Sequence, residues 1–375
     1  MPRLLKLVPG LFLAGLCLSF NLACDKSDNK SGTSNGSSST SSSNSSSSAS
    51  ANLTGAGSSF ANPLYQKWIS EYTRLHNGTQ INYQSIGSGA GIKQLIANTV
   101  DFAGSDAPMN AEQMKESPGE VLHVPTALGA VVPMYNIPGV DKSLKFTGPI
   151  LAEIFLGKIT KWNDAKLVEM NGDAKLPDMA ISIVHRSDGS GTTGIFTEYL
   201  SKVSPEWLAG PGKGSSVKWP VGVGAKGSEG VSGMVKQTPG TISYVELLYA
   251  LNNKIAYGDV VNAAGKTVHA TAAGVSAAAG SIKEVPDDLK LSVTNAAGDA
   301  SYPISGFTWM LIYKNQKDAA KGKALADFAW WGVHDGQAFH ESLNYAPLPK
   351  ELLPKCEAMI KSIVGSDGKS LVDAK

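Results

Sequence analysis

Short apolar runs alternate with stretches of helical periodicity, and Gly/Ser turns sit at the junctions between them. That order constrains the fold more than any single residue does. The runs 127–135, 181–185, 241–245 and 307–313 have the length and composition of buried strands. Phe60, Leu64, Trp68, Tyr72 and Leu75 recur every three or four residues, which places one apolar stripe on a helix. Further helical stretches fall at 150–156, 192–200, 319–333 and 351–364. Strands interleaved with helices predict an α/β fold with mostly parallel sheets.

The chain has 375 residues, and its first fifty stand apart from this pattern. Arg3 and Lys6 precede an apolar run that ends at Asn21-Leu22-Ala23-Cys24. A basic start, an apolar middle and a terminal cysteine resemble a bacterial lipoprotein signal, so residues 1–23 are expected to be removed and Cys24 lipidated. Asn21 departs from that pattern, where an apolar residue is usual. Residues 31–50 contain only Ser, Gly, Asn, Thr and Ala. Such a tract has nothing large enough to bury and cannot offset the entropy of ordering, so residues 24–50 read as a lipidated cysteine and a flexible tether. Random-coil scaling gives that tether a reach of roughly 25–30 Å.

Charge and cysteine content exclude several classes. The chain carries 33 basic and 32 acidic residues, which leaves no electrostatic footprint for nucleic acid. Of Cys17, Cys24 and Cys356, only the last would remain as a free thiol after processing and acylation. No intramolecular disulfide is expected, and cysteine cannot supply a metal cluster. Cofactors and metals are not called for.

Four turns carry the chemistry. Thr54-Gly55-Ala56-Gly57-Ser58-Ser59-Phe60 leads into the first helix, and Ile86-Gly87-Ser88-Gly89-Ala90-Gly91 into the second. Ser105-Asp106-Ala107-Pro108 precedes a helix beginning near Asn110, and Arg186-Ser187-Asp188-Gly189-Ser190-Gly191-Thr192 opens another. A helix start leaves N–H groups unpaired and adds partial positive charge. Glycine lets the backbone approach a ligand, and hydroxyls add donors. Several such ends together would bind a tetrahedral oxyanion without a metal. Arg186 could add a forked, charged contact. Each serine also has a plainer reading as a helix cap, and Asp106 and Asp188 as turn formers.

The same turns resemble those of the periplasmic phosphate-binding proteins of bacterial phosphate ABC transporters. The resemblance extends through Gly157-Lys158-Ile159-Thr160-Lys161-Trp162-Asn163-Asp164, Val217-Lys218-Trp219-Pro220, Gly240-Thr241-Ile242-Ser243-Tyr244-Val245-Glu246 and Leu343-Asn344-Tyr345-Ala346-Pro347-Leu348-Pro349. It implies a two-lobe periplasmic-binding-protein fold of type II, hinged, with the ligand in the cleft. One lobe would comprise 51–125 plus 304–375 and the other 126–303, with crossings near Pro125 and Pro303. It further implies that Ser59, the N–H of Phe60, Ser88 and Asp106 contact phosphate from one lobe. Arg186, Ser190, Gly191 and Thr192 would contact it from the other, with Asp188 orienting Arg186. Ser59 stands where threonine is common in the family. The implied partners are inorganic phosphate and a permease with its ATPase. The membrane would be met only through the lipid anchor, and the chain would act as a monomer.

Asp106 discriminates among anions on this reading. A carboxylate repels a fully ionised anion in a dry pocket, whereas protonated phosphate can donate a hydrogen bond to it. Three alternatives compete: another tetrahedral oxyanion as ligand, a secreted phosphohydrolase using Ser190, and a surface scaffold. The second lacks a Gly-x-Ser-x-Gly elbow, and His185 beside Arg186 reads as packed. Trp162, Trp219, Trp309, Trp330 and Trp331 sit among apolar residues and read as core, not as a sugar platform.

Overall fold

A computed structural model describes residues 51–140 and 142–372. The signal, Cys24 and the tether lie outside the described residues.

From its start the chain runs through β1 (Ala51–Gly57), α1 (Asn62–Leu75), β2 (Thr79–Ser85), α2 (Ser88–Ile96), β3 (Phe102–Ser105), α3 (Ala111–Glu116) and β4 (Val121–Asn136). It continues with β5 (Lys145–Phe146), α4 (Gly148–Phe155), α5 (Ala165–Met170), β6 (Ser182–Arg186), α6 (Gly191–Val203) and α7 (Pro205–Ala209). Next come β7 (Val223–Ala225), α8 (Gly227–Gln237), β8 (Thr241–Glu246), α9 (Leu247–Asn253), β9 (Ala256–Tyr257), β10 (Asp259–Val261) and β11 (Thr267–Val268). The last elements are α10 (Ala272–Ala279), β12 (Ser305–Tyr313), α11 (Ala319–Val333) and α12 (Leu353–Lys361).

One sheet has the order β2-β1-β3-β12-β4-β8-β6-β7, with β9 added on β4. It is mixed, contrary to the mostly parallel sheet expected. The ladders β1–β2, β1–β3, β6–β7 and β6–β8 are parallel, while β12 runs antiparallel to both β3 and β4, and β4 to β8. A fully buried strand is apolar on both faces whichever way it runs, so the expected strands were found but not their directions.

β4 is the strand that joins the two parts of the sheet. It pairs with β12 from Val121 to Ala130 and with β8 from Val131 to Asn136. It begins earlier than the apolar run at 127, because Pro125 is accommodated rather than ending the strand. The register slips between Thr308 and Trp309, leaving Thr126 as the extra residue of a bulge. The Thr126 hydroxyl bonds Thr308 O at 3.1 Å there.

The helices cover this sheet with aromatic side chains. On α1, Leu64, Trp68 and Tyr72 are buried as the periodicity predicts, but Leu75 is 54% exposed in the last turn. The Trp68 indole N–H donates to Gly336 O at 2.9 Å, so the ring is buried without an orphaned donor. Truncating such a ring to alanine costs about 3–5 kcal/mol. Trp162, Trp309 and Trp331 are buried, and Trp219 and Trp330 pack partly buried against the same core. Cys356 is a buried free thiol. No helix among the described residues is long and apolar enough to cross a membrane.

Candidate anion-binding site

Strands β1, β2 and β3 run parallel to one another, as do β6, β7 and β8, and the polar turns follow their carboxyl ends. In open α/β sheets that edge is where loops and helix starts gather around a ligand. The expected turns meet there, joined by a fifth, Lys226-Gly227-Ser228-Glu229-Gly230, at the start of α8.

Two hydrogen-bond chains leave the first turn. Along one, the Ser58 hydroxyl accepts from Ala61 N–H at 2.9 Å and donates to Asp106 Oδ1. Asp106 Oδ2 meets the Ser88 hydroxyl at 3.4 Å, and that hydroxyl accepts from Gly191 N–H at 3.1 Å. Along the other, Ser59 Oγ lies 2.8 Å from Ser228 Oγ and accepts from Ser228 N–H at 3.2 Å. Arg186 Nη1 reaches the same Ser228 hydroxyl at 3.5 Å. Phe60 has its ring fully buried edge-on to Tyr345, whose hydroxyl donates to Phe60 O at 2.5 Å.

Arg186 ends β6 and is almost wholly buried. Its guanidinium grips Asp188 through Nε to Oδ1 at 2.8 Å and Nη2 to Oδ2 at 2.5 Å. Asp188 Oδ1 also accepts from Gly227 N–H at 3.0 Å. Burial opposes the charge on each partner, but the pairing outweighs it. The Arg186 pKa lies above its ordinary value and that of Asp188 below. Gly87, at φ +89°, passes so close that a Cβ there would fall 2.2 Å from Asp188 Oδ2. No side chain fits at that point.

α6 supplies the remaining expected residues. Ser190 is the cap: its hydroxyl accepts from Thr193 N–H at 3.1 Å, so the plain capping reading applies to its acceptor side. Thr192 Oγ1 is buried with no hydrogen-bond partner. An unpartnered buried hydroxyl costs about 1–3 kcal/mol.

Asp106 stands among these donors with 3% exposure. Burial raises its pKa to about 6, against the pull of Ser58, Thr308, the Arg186 charge and Ser88. Oδ1 accepts from Ser58 and also from the Thr308 hydroxyl at 2.8 Å. Oδ2 has only the long Ser88 contact. The site therefore couples a fixed guanidinium and several hydroxyl and N–H donors to one carboxylate oxygen still able to accept.

Three residues here were not foreseen. Ser58 was read only as a cap. Ser228 belongs to a Gly-Ser turn of the same kind as the other four, and that signal could have found it. Thr308 has no local signature. His185, the side chain nearest in sequence to Arg186 that could serve as a base, stacks on Trp219 at 4.9 Å, with Nδ1 3.1 Å from Arg186 O. Among the described residues no three His, Cys, Asp or Glu side chains gather as a metal site.

Comparison with known proteins agrees with this architecture. The family model described as a PBP superfamily domain matches residues 42–331. Phosphate-binding protein PstS of Xylella fastidiosa (strain 9a5c) is 47% identical over 308 residues, covering 82% of this chain and 84% of that protein. Phosphate-binding protein PstS of Pasteurella multocida is 44% identical over 322 residues, covering 85% and 93%. Among solved structures, a high-affinity periplasmic phosphate-binding protein (PfluDING) bound with phosphate superposes with TM-score 0.66 at 23% identity, covering 83% of this chain and 93% of that one. A phosphate-binding protein from Stenotrophomonas maltophilia gives TM-score 0.64 at 19% identity, covering 82% and 93%. These two likenesses establish the two-lobe periplasmic-binding-protein fold. With 44–47% identity over more than four fifths of its length and a family model matching most of it, the chain belongs to the PstS family of phosphate-binding proteins within the PBP superfamily.

Proposed function

We propose that this protein captures inorganic phosphate outside the cytoplasmic membrane and hands it to an ABC transporter permease driven by its ATPase. The observation that carries the reading is Asp106 Oδ2. It is a buried acceptor without a short bond, set among donors that would otherwise suit any anion. Ser59, Phe60 N–H and Ser88 bind phosphate from one side of the cleft. Arg186, Ser190, Gly191 and Thr192 bind it from the other, with Asp188 fixing the guanidinium. A phosphate that keeps a proton donates it to Asp106 Oδ2, whereas sulfate has none to give and meets a bare carboxylate. The names of the PstS relatives support the ligand.

The lobes are residues 51–125 with 304–375, and 126–303, with β4 and the segment leading into β12 as the crossings. The protein acts as a monomer held to the membrane by a lipid on Cys24. It uses no cofactor or metal and catalyses no reaction, so phosphate esters offered to it are not turned over.

Calorimetric titration of the full chain, purified in detergent and freed of bound anion, tests the ligand. One-site phosphate binding at micromolar Kd or tighter, on the order of −8 kcal/mol, with no heat from sulfate, is expected. A folded, anion-free sample that gives no phosphate heat overturns the reading. Intact-mass measurement of the protein extracted from membranes tests the anchor: a chain beginning at residue 24 with acyl mass on Cys24 is expected, and an unmodified soluble product rules it out.

A further inference from the structure

The β3–β12 ladder places a hydroxyl opposite the selectivity carboxylate. Trp309 pairs with Ser105 in that antiparallel register, so the next residues outward, Thr308 and Asp106, face each other just beyond the end of β3. Thr308 is fully buried. Its hydroxyl has two acceptors in reach, Asp106 Oδ1 at 2.8 Å and Ser105 O at 3.4 Å, so it can only donate. The Thr126 bulge fixes the strand at this point by bonding Thr308 O.

Ser58 reaches the same oxygen from β1's turn. Its lone pair is taken by Ala61 N–H, which leaves its own proton for Asp106 Oδ1. Two donors thus converge on one carboxylate oxygen, and the carboxylate is left with Oδ2 turned toward Ser88 and Gly191. Donors to the ionised form favour it over the protonated form.

We infer that Thr308 and Ser58 are positioning residues that hold Asp106 ionised with Oδ2 toward the anion, and so set discrimination between protonated and fully ionised oxyanions. This rests on the reading of the site as a phosphate site. A protonated Asp106 would donate instead of accept, and would then admit sulfate. Besides these hydroxyls, the charged and titratable groups facing Asp106 are Arg186 from β6, Glu246 from β8, and the phenols of Tyr65, Tyr83 and Tyr345. Burial pushes Glu246 and the three phenols away from their charged forms, and Arg186 is the one cation among these five groups, its charge favouring the carboxylate.

The test is titration of the full chain with phosphate and with sulfate on either side of neutrality, for wild type, Thr308→Val, Thr308→Ser and Ser58→Ala. Losing one donor to a charged group should lower the phosphate-to-sulfate affinity ratio at neutral pH by about tenfold or more. It should also move the onset of sulfate binding to higher pH. Thr308→Ser, which keeps the hydroxyl, should restore the wild-type ratio. If Thr308→Val does not fold by circular dichroism, Ser58→Ala decides the matter alone. Folded variants with an unchanged ratio and an unchanged pH onset overturn the inference, as do variants that lose both anions equally. A wild type that binds phosphate selectively while the variants do not differ from it refutes this inference only. A wild type that binds no phosphate refutes the functional reading and this one together.

Discussion

Gly191 lies so close to Asp106 that a methyl group on it would come within 2.6 Å of both the Asp106 backbone nitrogen and its Cβ. The start of α6 and the end of β3 are therefore in contact through a residue that has no side chain. The Gly191 N–H donates to Ser88 across the same point. Alanine there must push the turns apart, because the atoms it meets are backbone and Cβ and cannot swing away. Overpacking of this kind costs about 1–3 kcal/mol. Gly191→Ala is expected to fold and to bind phosphate on the order of ten- to a hundredfold more weakly, read by calorimetry; wild-type affinity would mean that the turns need not approach this closely.

Arg186, buried, and Asp188, partly buried, pair through two parallel bonds. Arg186→Ala removes the guanidinium proposed to face the anion and leaves Asp188 partly buried with Gly227 N–H as its remaining bond. Phosphate affinity should fall by about a hundredfold or more, consistent with about 3 kcal/mol for a lost charged contact. Arg186→Lys should not restore it, since an ammonium cannot hold Asp188 through a planar fork and face the ligand as well. Titration of the folded variants checks both statements, and a lysine variant with wild-type affinity would show that charge alone suffices.

Much of this site could be read from the sequence because its parts are local. A Gly/Ser turn between an apolar run and a helical stretch is a short signal, and four of the five turns that meet were found by it. Ser190 caps its helix, as the plainer reading held, whereas Ser58 bonds the N–H of Ala61 ahead of α1 without capping it, and Ser59 and Ser88 reach across to other turns. What was missed depends on register. Thr308 faces Asp106 only because β12 runs antiparallel to β3 with Trp309 opposite Ser105, a pairing about two hundred residues apart in sequence that no local pattern encodes. The strand expected at 127–135 begins earlier, at Val121, because a bulge at Thr126 lets Pro125 sit inside a central strand where proline is ordinarily excluded.

The buried carboxylate of Asp106 should weaken the ligand-free protein above its pKa. Burial raises that pKa from 3.8 to about 6, so the folded state holds the proton more tightly than the unfolded chain does. Its favourable contribution is complete below 3.8 and is lost as pH rises through about 6. Near neutral pH, Asp106→Asn should raise the stability of the anion-free protein by up to about 3 kcal/mol. The gain should shrink as the solution is acidified, and the same variant should admit sulfate. Urea unfolding at several pH values measures the first effect and anion titration the second. A variant no more stable than wild type at neutral pH, or equally closed to sulfate, contradicts the role given to this group.

His123 sets the opposite dependence, away from the site. It lies on β4 with 2% exposure, and its Nε2 accepts from Met109 N–H at 3.0 Å. That bond requires an unprotonated Nε2. Burial, helped by nearby Lys290, lowers the His123 pKa from 6.5 to about 4. The unfolded chain therefore binds a proton on His123 between these values while the folded protein does not. The stability it confers is complete above 6.5 and is lost as pH falls through about 4, a loss of about 3 kcal/mol from this one ring. Asp106 pulls the other way over part of the same interval, so the two are separated by substitution and not by the profile of the wild type. His123→Gln keeps an acceptor for Met109 N–H and removes the titration. Its unfolding free energy should decline less than that of wild type between neutral pH and about 4, with little difference between the two near neutrality. Parallel curves for the two proteins over that range would show that His123 is not the group that titrates.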